Sequence, residues 1–209
     1  GKALKEDLKS KIEEKYEYST GHDDHVYLGM AVHRISKNQI FLTQERYIEE
    51  VMIKFGFDEC RSVRGPSPGA KISVDDCPPE PPEKNRIATR YREICGVLRW
   101  LEQCTRPDIS TTLSELCKVQ INPGKVHMQA LEHLLRYVSS TRDRGILYGR
   151  PEKGDHPYAV INGYTDSDWA GDSDTRYSRG GFIFMSWQAP VSWSSFKMKA
   201  AAASSAESE

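Results

Sequence analysis

Carboxylates gather at two places in the last quarter of this chain. Residues 163–172 read Gly-Tyr-Thr-Asp-Ser-Asp-Trp-Ala-Gly-Asp, and the chain ends Ser204-Ser205-Ala206-Glu207-Ser208-Glu209. The first stretch is an acidic strand end at Asp166. The second has the pattern of a helix start, with Ser204 and Glu207 spaced as a capping box. Carboxylates converging from separate elements are what two divalent ions need to cleave a phosphodiester. Mg²⁺ favours carboxylate oxygens together with water and substrate phosphate. Two elements supply only the front half of such a site, and the remaining carboxylates would lie beyond Glu209. Asp168, Asp172 and Asp174 are close by and read as solvent-facing or turn residues.

The elements that must position these groups read as a β-meander. A strand at 158–164 runs into Asp166, and 182–185 with 190–193 form a hairpin. A short strand at 145–148 precedes them. Trp169, Trp187 and Trp193 read as core or rim packing. Three helices come earlier, at 88–104, from Pro107 to the Asn122-Pro123-Gly124 stop, and at 125–140. Their inward stripes are Tyr91, Ile94, Cys95, Leu98 and Leu101, then Ile109, Leu113, Leu116 and Cys117, then Met128, Leu131, Leu135 and Val138. One-sided stripes predict a bundle.

Nearer the start, Leu4, Leu8, Ile12 and Tyr16 recur at i+4 and predict an amphipathic helix over 3–16. Residues 27–35 and 39–42 flank Ser36-Lys37-Asn38 as a hairpin, with Asn38 suited to a left-handed turn position. A helix over 44–56 follows, with Ile48, Val51, Met52 and Phe55 on one face and Gly56 as its C-cap. Residues 58–83 are proline-rich and aperiodic, a long loop or linker.

Composition bounds the function. The chain has 209 residues, 38% of them apolar, and a mean hydropathy of -0.63. No run of about 18 apolar residues occurs, so a membrane span is not expected. The first residue is Gly, which suggests a piece of something longer. Cys60, Cys77, Cys95, Cys104 and Cys117 are odd in number and lack a CxxC pair, the usage of reduced intracellular thiols. The net charge of -1 hides a basic middle: residues 84–150 carry 12 Lys and Arg against 6 Asp and Glu. Such a segment can face phosphates.

Two clusters imitate catalytic motifs. Ile72-Ser73-Val74-Asp75-Asp76 has paired carboxylates, but Cys77-Pro78-Pro79 follows where a return strand would be needed. His22-Asp23-Asp24-His25 looks like a metal cluster, yet consecutive residues of a strand alternate faces.

With these motifs assembled, the chain resembles the Pol polyprotein of copia-type LTR retrotransposons, from the end of the reverse transcriptase palm into RNase H. The resemblance runs in order through Tyr27-Leu28-Gly29, Ile40 to Gln44 with Tyr47-Ile48, Thr105-Arg106-Pro107-Asp108-Ile109, Leu135-Arg136-Tyr137-Val138, the Gly163–Asp172 stretch and the Ser204–Glu209 end. It implies an α+β fold: a palm-end hairpin over 1–57, a proline-rich loop or linker over 58–87, a helical thumb and connection over 88–150, and the first half of an RNase H-like antiparallel sheet over 151–209. The parent activity would be RNA-directed DNA synthesis with hydrolysis of RNA in RNA–DNA hybrids, with two Mg²⁺ ions. Asp166 matches the first-strand carboxylate of RNase H. Glu209 matches its helix glutamate, with Glu207 second choice. Arg90, Arg92, Arg99, Arg106 and Arg136 would face the phosphates of a hybrid or primer–template, although Arg106 could instead brace the Arg-Pro-Asp corner. The rest of Pol would be a partner, and the compartment a cytoplasmic particle or the nucleus. The polymerase's own paired carboxylates would lie upstream of residue 1, so the fragment is expected to be inactive alone, or to survive as a binding module without catalysis.

Overall fold

The computed structural model describes residues 2–16, 25–79, 85–149, 160–168, 171–172 and 174–198. Within them the order is α1 (Lys2–Glu13), β1 (His25–Tyr27), β2 (Met30–Ser36), β3 (Gln39–Thr43), α2 (Glu45–Phe55), α3 (Ala88–Cys104), α4 (Ser110–Cys117), α5 (Lys125–Ser140), β4 (Gly145–Gly149), β5 (Ile161–Asp168), β6 (Arg179–Ser186) and β7 (Ala189–Lys197). The chain is therefore a mixed helix-and-sheet fold. Residues 204–209, Trp169, the polar break up to Asp24 and positions 158–159 of the strand expected over 158–164 lie outside the described residues.

The helices pack through the stripes read from the sequence. Ile48, Val51, Met52 and Phe55 of α2 join Tyr91, Ile94, Leu98 and Leu101 of α3, Leu113 and Leu116 of α4, and Leu131, Leu135 and Val138 of α5 in one buried cluster. Gly56 ends α2 at φ 77, and the Phe57 N–H bonds the Met52 carbonyl at 2.8 Å, a Schellman closure. Pro107 opens a single 3₁₀ turn, Pro107–Ile109, which runs directly into α4. At the start of α5, Gly124 sits so close to the Asp76 carbonyl that an added Cβ would approach within 2.1 Å, which reserves the position for glycine. By contrast α1 keeps Leu4 and Leu8 exposed, and it ends at Glu13, short of Tyr16, which the sequence pattern had included.

The proline-rich segment follows the bundle surface. Ile72 is buried in the core cluster. His127 Nε2 lies 2.8 Å from the Ser73 carbonyl, and the Gly124 N–H donates to His127 Nδ1. The Ser140 hydroxyl donates to the Val63 carbonyl, and the Asn122 amide to that of Pro78. The Val74–Asp76 stretch is a 3₁₀ turn capped by Ser73, with no catalytic hairpin around its carboxylates.

Both sheets are antiparallel, in the orders β1-β2-β3-β4 and β5-β6-β7. Three details depart from the sequence reading. The strand expected over 27–35 is broken: Leu28 at φ 52 and Gly29 at φ 78 make a tight turn that splits off β1 as its own strand. Asn38 is not left-handed; its N–H donates to the Ser36 hydroxyl, which closes the turn without a positive φ. Finally, β4 does not join the C-terminal meander but pairs with β3, Phe41 opposite Leu147, because α5 returns the chain to the edge of the first sheet.

Candidate functional site

Register fixes which way Asp166 points. Directly opposed residues of an antiparallel sheet share a face. Tyr164, Ile183 and Trp193 are aligned across β5, β6 and β7, and so are Asp166, Gly181 and Ser195, and Asp168, Arg179 and Lys197. The Trp193 indole N–H donates to the Glu102 carbonyl at 2.9 Å. Arg179 donates to the Ser114 hydroxyl at 2.8 Å and pairs with Glu115. The face carrying Asp166 therefore looks toward the bundle.

Between that face and the Pro107 turn with α4 runs a groove of about 400 Å³, lined by Ser110 and Thr111 on one side and Tyr164, Asp166, Asp168 and Ser195 on the other. Asp166 is exposed within it and has no hydrogen-bond or ion-pair partner among the described residues. Gly181 opposite it has no Cβ, and its nearest neighbour in that direction is the Ser194 carbonyl at 3.5 Å, so the space beside the carboxylate is open. Asp168 is committed: it accepts from the Arg179 backbone N–H at 2.7 Å.

Asp172 organises the following loop. It is 1% exposed, accepts from the Thr175 N–H and hydroxyl at 2.9 and 2.8 Å, and pairs with Lys118, the residue that caps the end of α4, at 2.8 Å. Burial pushes its carboxyl up, but the hydrogen bonds from Lys118 and Thr175 prevail and hold it far below the usual carboxylate range. Asp174 accepts from the Ser73 hydroxyl at 2.6 Å. These two are turn and anchor residues, and neither faces solvent freely.

The five arginines are not one patch. Arg106 is 1% exposed and spends its guanidinium internally, on Asp108 at 2.9 and 2.8 Å and on the Thr141 carbonyl and hydroxyl at 3.1 and 2.7 Å, beside the Tyr137 ring. Arg90 donates to the Phe55 carbonyl at the end of α2. Arg92 and Arg99 share a face of α3 by their spacing; Arg92 is exposed and Arg99 lies 3.3 Å from Glu102. Arg136 faces Glu132 at 3.9 Å on α5.

Among the described residues no three His, Cys, Asp or Glu side chains converge as ligands, and Glu209 and Glu207 lie outside them. No described helix is long and apolar enough to cross a membrane. Sequence reasoning did not find the opposite wall, Ser110 and Thr111, because nothing local in α4 marks it. The Arg179-Gly180-Gly181 stretch was the available clue, since only small residues leave room beside an acidic strand.

The sequence is similar to those of known proteins. The chain is 35% identical over 185 residues, 87% of its length, to the retrovirus-related Pol polyprotein from transposon TNT 1-94 of Nicotiana tabacum. It is 34% identical over 186 residues, 88% of its length, to the Pol polyprotein from transposon RE1 of Arabidopsis thaliana. The chain belongs to the copia-type retrotransposon Pol polyproteins. It spans only 14% and 12% of those two Pol polyproteins. A third relative is short: the secreted RxLR effector protein 161 of Plasmopara viticola is 36% identical over 119 residues, which are 57% of this chain and 80% of that one. No family model matches the Pol segment, and no solved structure does.

Proposed function

We propose that this chain is the end of the reverse transcriptase and the opening strands of the RNase H region of a copia-type Pol polyprotein. In this reading it holds an RNA–DNA hybrid or primer–template and does not cut it unaided. The observation that carries the reading is Asp166: an unpaired carboxylate near the end of the first strand of an antiparallel meander, on the face that looks into a groove. In RNase H-like enzymes a carboxylate so placed serves the metal ions. Here one such carboxylate is present among the described residues, which does not fit a two-ion centre, so no hydrolytic step is assigned to this chain.

Binding rests on phosphate contacts, which are salt-dependent. Arg92, Arg99 and Arg136 are the side chains we assign to them. Arg90 and Arg106 hold the fold, as their internal hydrogen bonds support. A second reading, a binding module that has left its polyprotein, is favoured by the short relative whose length this segment largely covers.

One experiment separates the possibilities. The chain and its Asp166→Asn variant are incubated with a labelled RNA–DNA hybrid and Mg²⁺, and binding is followed by fluorescence anisotropy across a salt titration. We expect binding near 50 mM salt that weakens steeply as salt rises, and no cleavage. Cleavage lost on Asp166→Asn would overturn the inactivity. Negligible affinity at about 50 mM salt would overturn the binding role.

A further inference from the structure

A second cleft lies apart from Asp166, between the two sheets. It holds about 690 Å³, with Gln39, Phe41 and Leu147 of the first sheet on one side and Trp187, Gln188 and Pro190 of the second on the other. The Tyr148 hydroxyl donates to the Pro190 carbonyl at 2.6 Å and ties the two walls together. Arg144, from the segment that enters β4, lines the cleft as well. Ser186 pairs with Ala189, so Trp187 and Gln188 form a two-residue hairpin loop. Both have positive φ, 46 and 66. Asn and Gly ordinarily fill such a loop, because other side chains are strained there. The indole of Trp187 therefore does nothing for the turn. Nor is it spent elsewhere: it is 38% exposed, and its N–H has no partner among the described residues. The Trp193 N–H, by contrast, is engaged by the Glu102 carbonyl. Arg144 gives one nitrogen to the Tyr137 hydroxyl at 2.8 Å and leaves Nε and Nη2 without a partner among the described residues, on a side chain 57% exposed.

We propose that this cleft takes one unpaired nucleotide of a nucleic-acid strand, with its base stacked on Trp187 and its phosphate met by Arg144; the assignment rests on the hybrid-binding reading above. Every base has a π-face, so an available aromatic ring holds an unpaired base whatever its sequence. The edge of an unpaired base both donates and accepts, and so do the side-chain amides of Gln39 and Gln188 on the two walls. A guanidinium with donors to spare suits a phosphate. The volume is that of a small-molecule site, room for a nucleotide but not for a duplex. Strain concentrates where a ligand is held, which accounts for an indole kept at a position that favours glycine.

Three RNA–DNA hybrids test the assignment on the whole chain: one blunt, one with a three-nucleotide 3′ DNA overhang and one with the 5′ counterpart, each overhang carrying 5-iodouracil at its first unpaired position. Fluorescence anisotropy reads affinity, and near-ultraviolet crosslinking followed by peptide mass mapping reads the site. At least one overhang should bind about fivefold tighter than the blunt hybrid, as one stacked base gives, and should crosslink to the peptide containing Trp187. Trp187→Gly, which suits the positive φ, should keep the blunt affinity and lose both the preference and the crosslink; Trp187→Phe should retain most of the preference. Arg144→Gln should lower the salt slope for that overhang by about one phosphate contact and leave the blunt slope unchanged. Blunt binding with no overhang preference, or a preference that survives Trp187→Gly, overturns the nucleotide site alone. Negligible affinity for all three hybrids at about 50 mM salt overturns the binding reading, and the site with it.

Discussion

Replacing Arg106 tests whether a buried guanidinium in the Thr105-Arg106-Pro107-Asp108-Ile109 stretch braces the fold or reads phosphate. Arg106→Ala removes two charge-assisted bonds to Asp108 and two to Thr141, and takes one of the two cations, Arg106 and Arg144, from the Tyr137 ring. Deleting one partner of a buried ion pair costs about 3–5 kcal/mol, chiefly because the other charge is stranded. Asp108 is not fully stranded: it is 31% exposed, keeps the Tyr137 hydroxyl at 2.8 Å, and has Arg144 at 3.9 Å. The low end, about 3 kcal/mol, is therefore expected. For a chain of this size that lowers Tm by about 6–12 °C. Arg106→Lys should recover little, since an ammonium cannot form the forked pair. The pH dependence carries a sign. Burial pushes the Asp108 carboxyl up, but the Arg106 and Tyr137 hydrogen bonds prevail and hold it below the usual range. A depressed carboxyl stabilises above its unfolded value, about 3.9, and that stability is lost as pH falls through the folded value. The gap between wild type and variant should thus be full at pH 7 and close below about pH 4. Circular-dichroism melts measure it, with hybrid affinity of the still-folded variant measured alongside. An unchanged Tm with weakened, less salt-sensitive binding would refute the brace and make Arg106 a phosphate contact.

Asp172→Asn should lower Tm by several degrees and free the loop from the end of α4, because an amide nitrogen facing the Lys118 ammonium at 2.8 Å replaces an ion pair; as the Asp172 carboxyl is held far below the usual range, most of the difference should persist from pH 7 down to pH 3, as read by melts at both. Leu28→Asn should raise stability by about 0.5–1 kcal/mol, since Leu28 is exposed and held at φ 52, where a γ-branched apolar side chain is strained and Asn is tolerated; denaturant titration reads the change. His127→Leu should loosen the 73–79 segment by removing its bonds to Gly124 and Ser73, seen as faster proteolysis there while the bundle persists.

What could be read in advance follows from where information is local. The bundle was legible because its helices carry uninterrupted 3.6-residue stripes, and α3 and α5 run over the expected residues. Gly56 was legible as a cap because only glycine adopts φ 77 without strain. The partner of β4 was not, since strand pairing is decided by where α5 delivers the chain, a tertiary matter. The turn at Leu28 was hidden by an apolar side chain standing where turn chemistry favours Asn or Gly. Asp166 was marked by its motif, while the groove it faces needed α4, more than fifty residues earlier, to supply the other wall. Asp172 looked like any loop carboxylate; its burial depends on Lys118, again a distant contact.

The candidate carboxylate thus sits on the least buried part of the fold. All but one residue of β5 is exposed, and of the second sheet's apolar side chains only Ala189 is fully buried among the described residues. Apolar burial stabilises at about 25 cal/mol per Å², so this sheet draws little on that source. What fastens it to the bundle is polar: Trp193 to Glu102, Arg179 to Ser114 and Glu115, Asp172 to Lys118, and Tyr148 of β4 to the Pro190 carbonyl. Several of these are charged and directional, so they set orientation closely while contributing modest net stability. A strand held this way can be aimed at a groove without being locked there. Further packing on its open face would then add the apolar burial that the described residues lack.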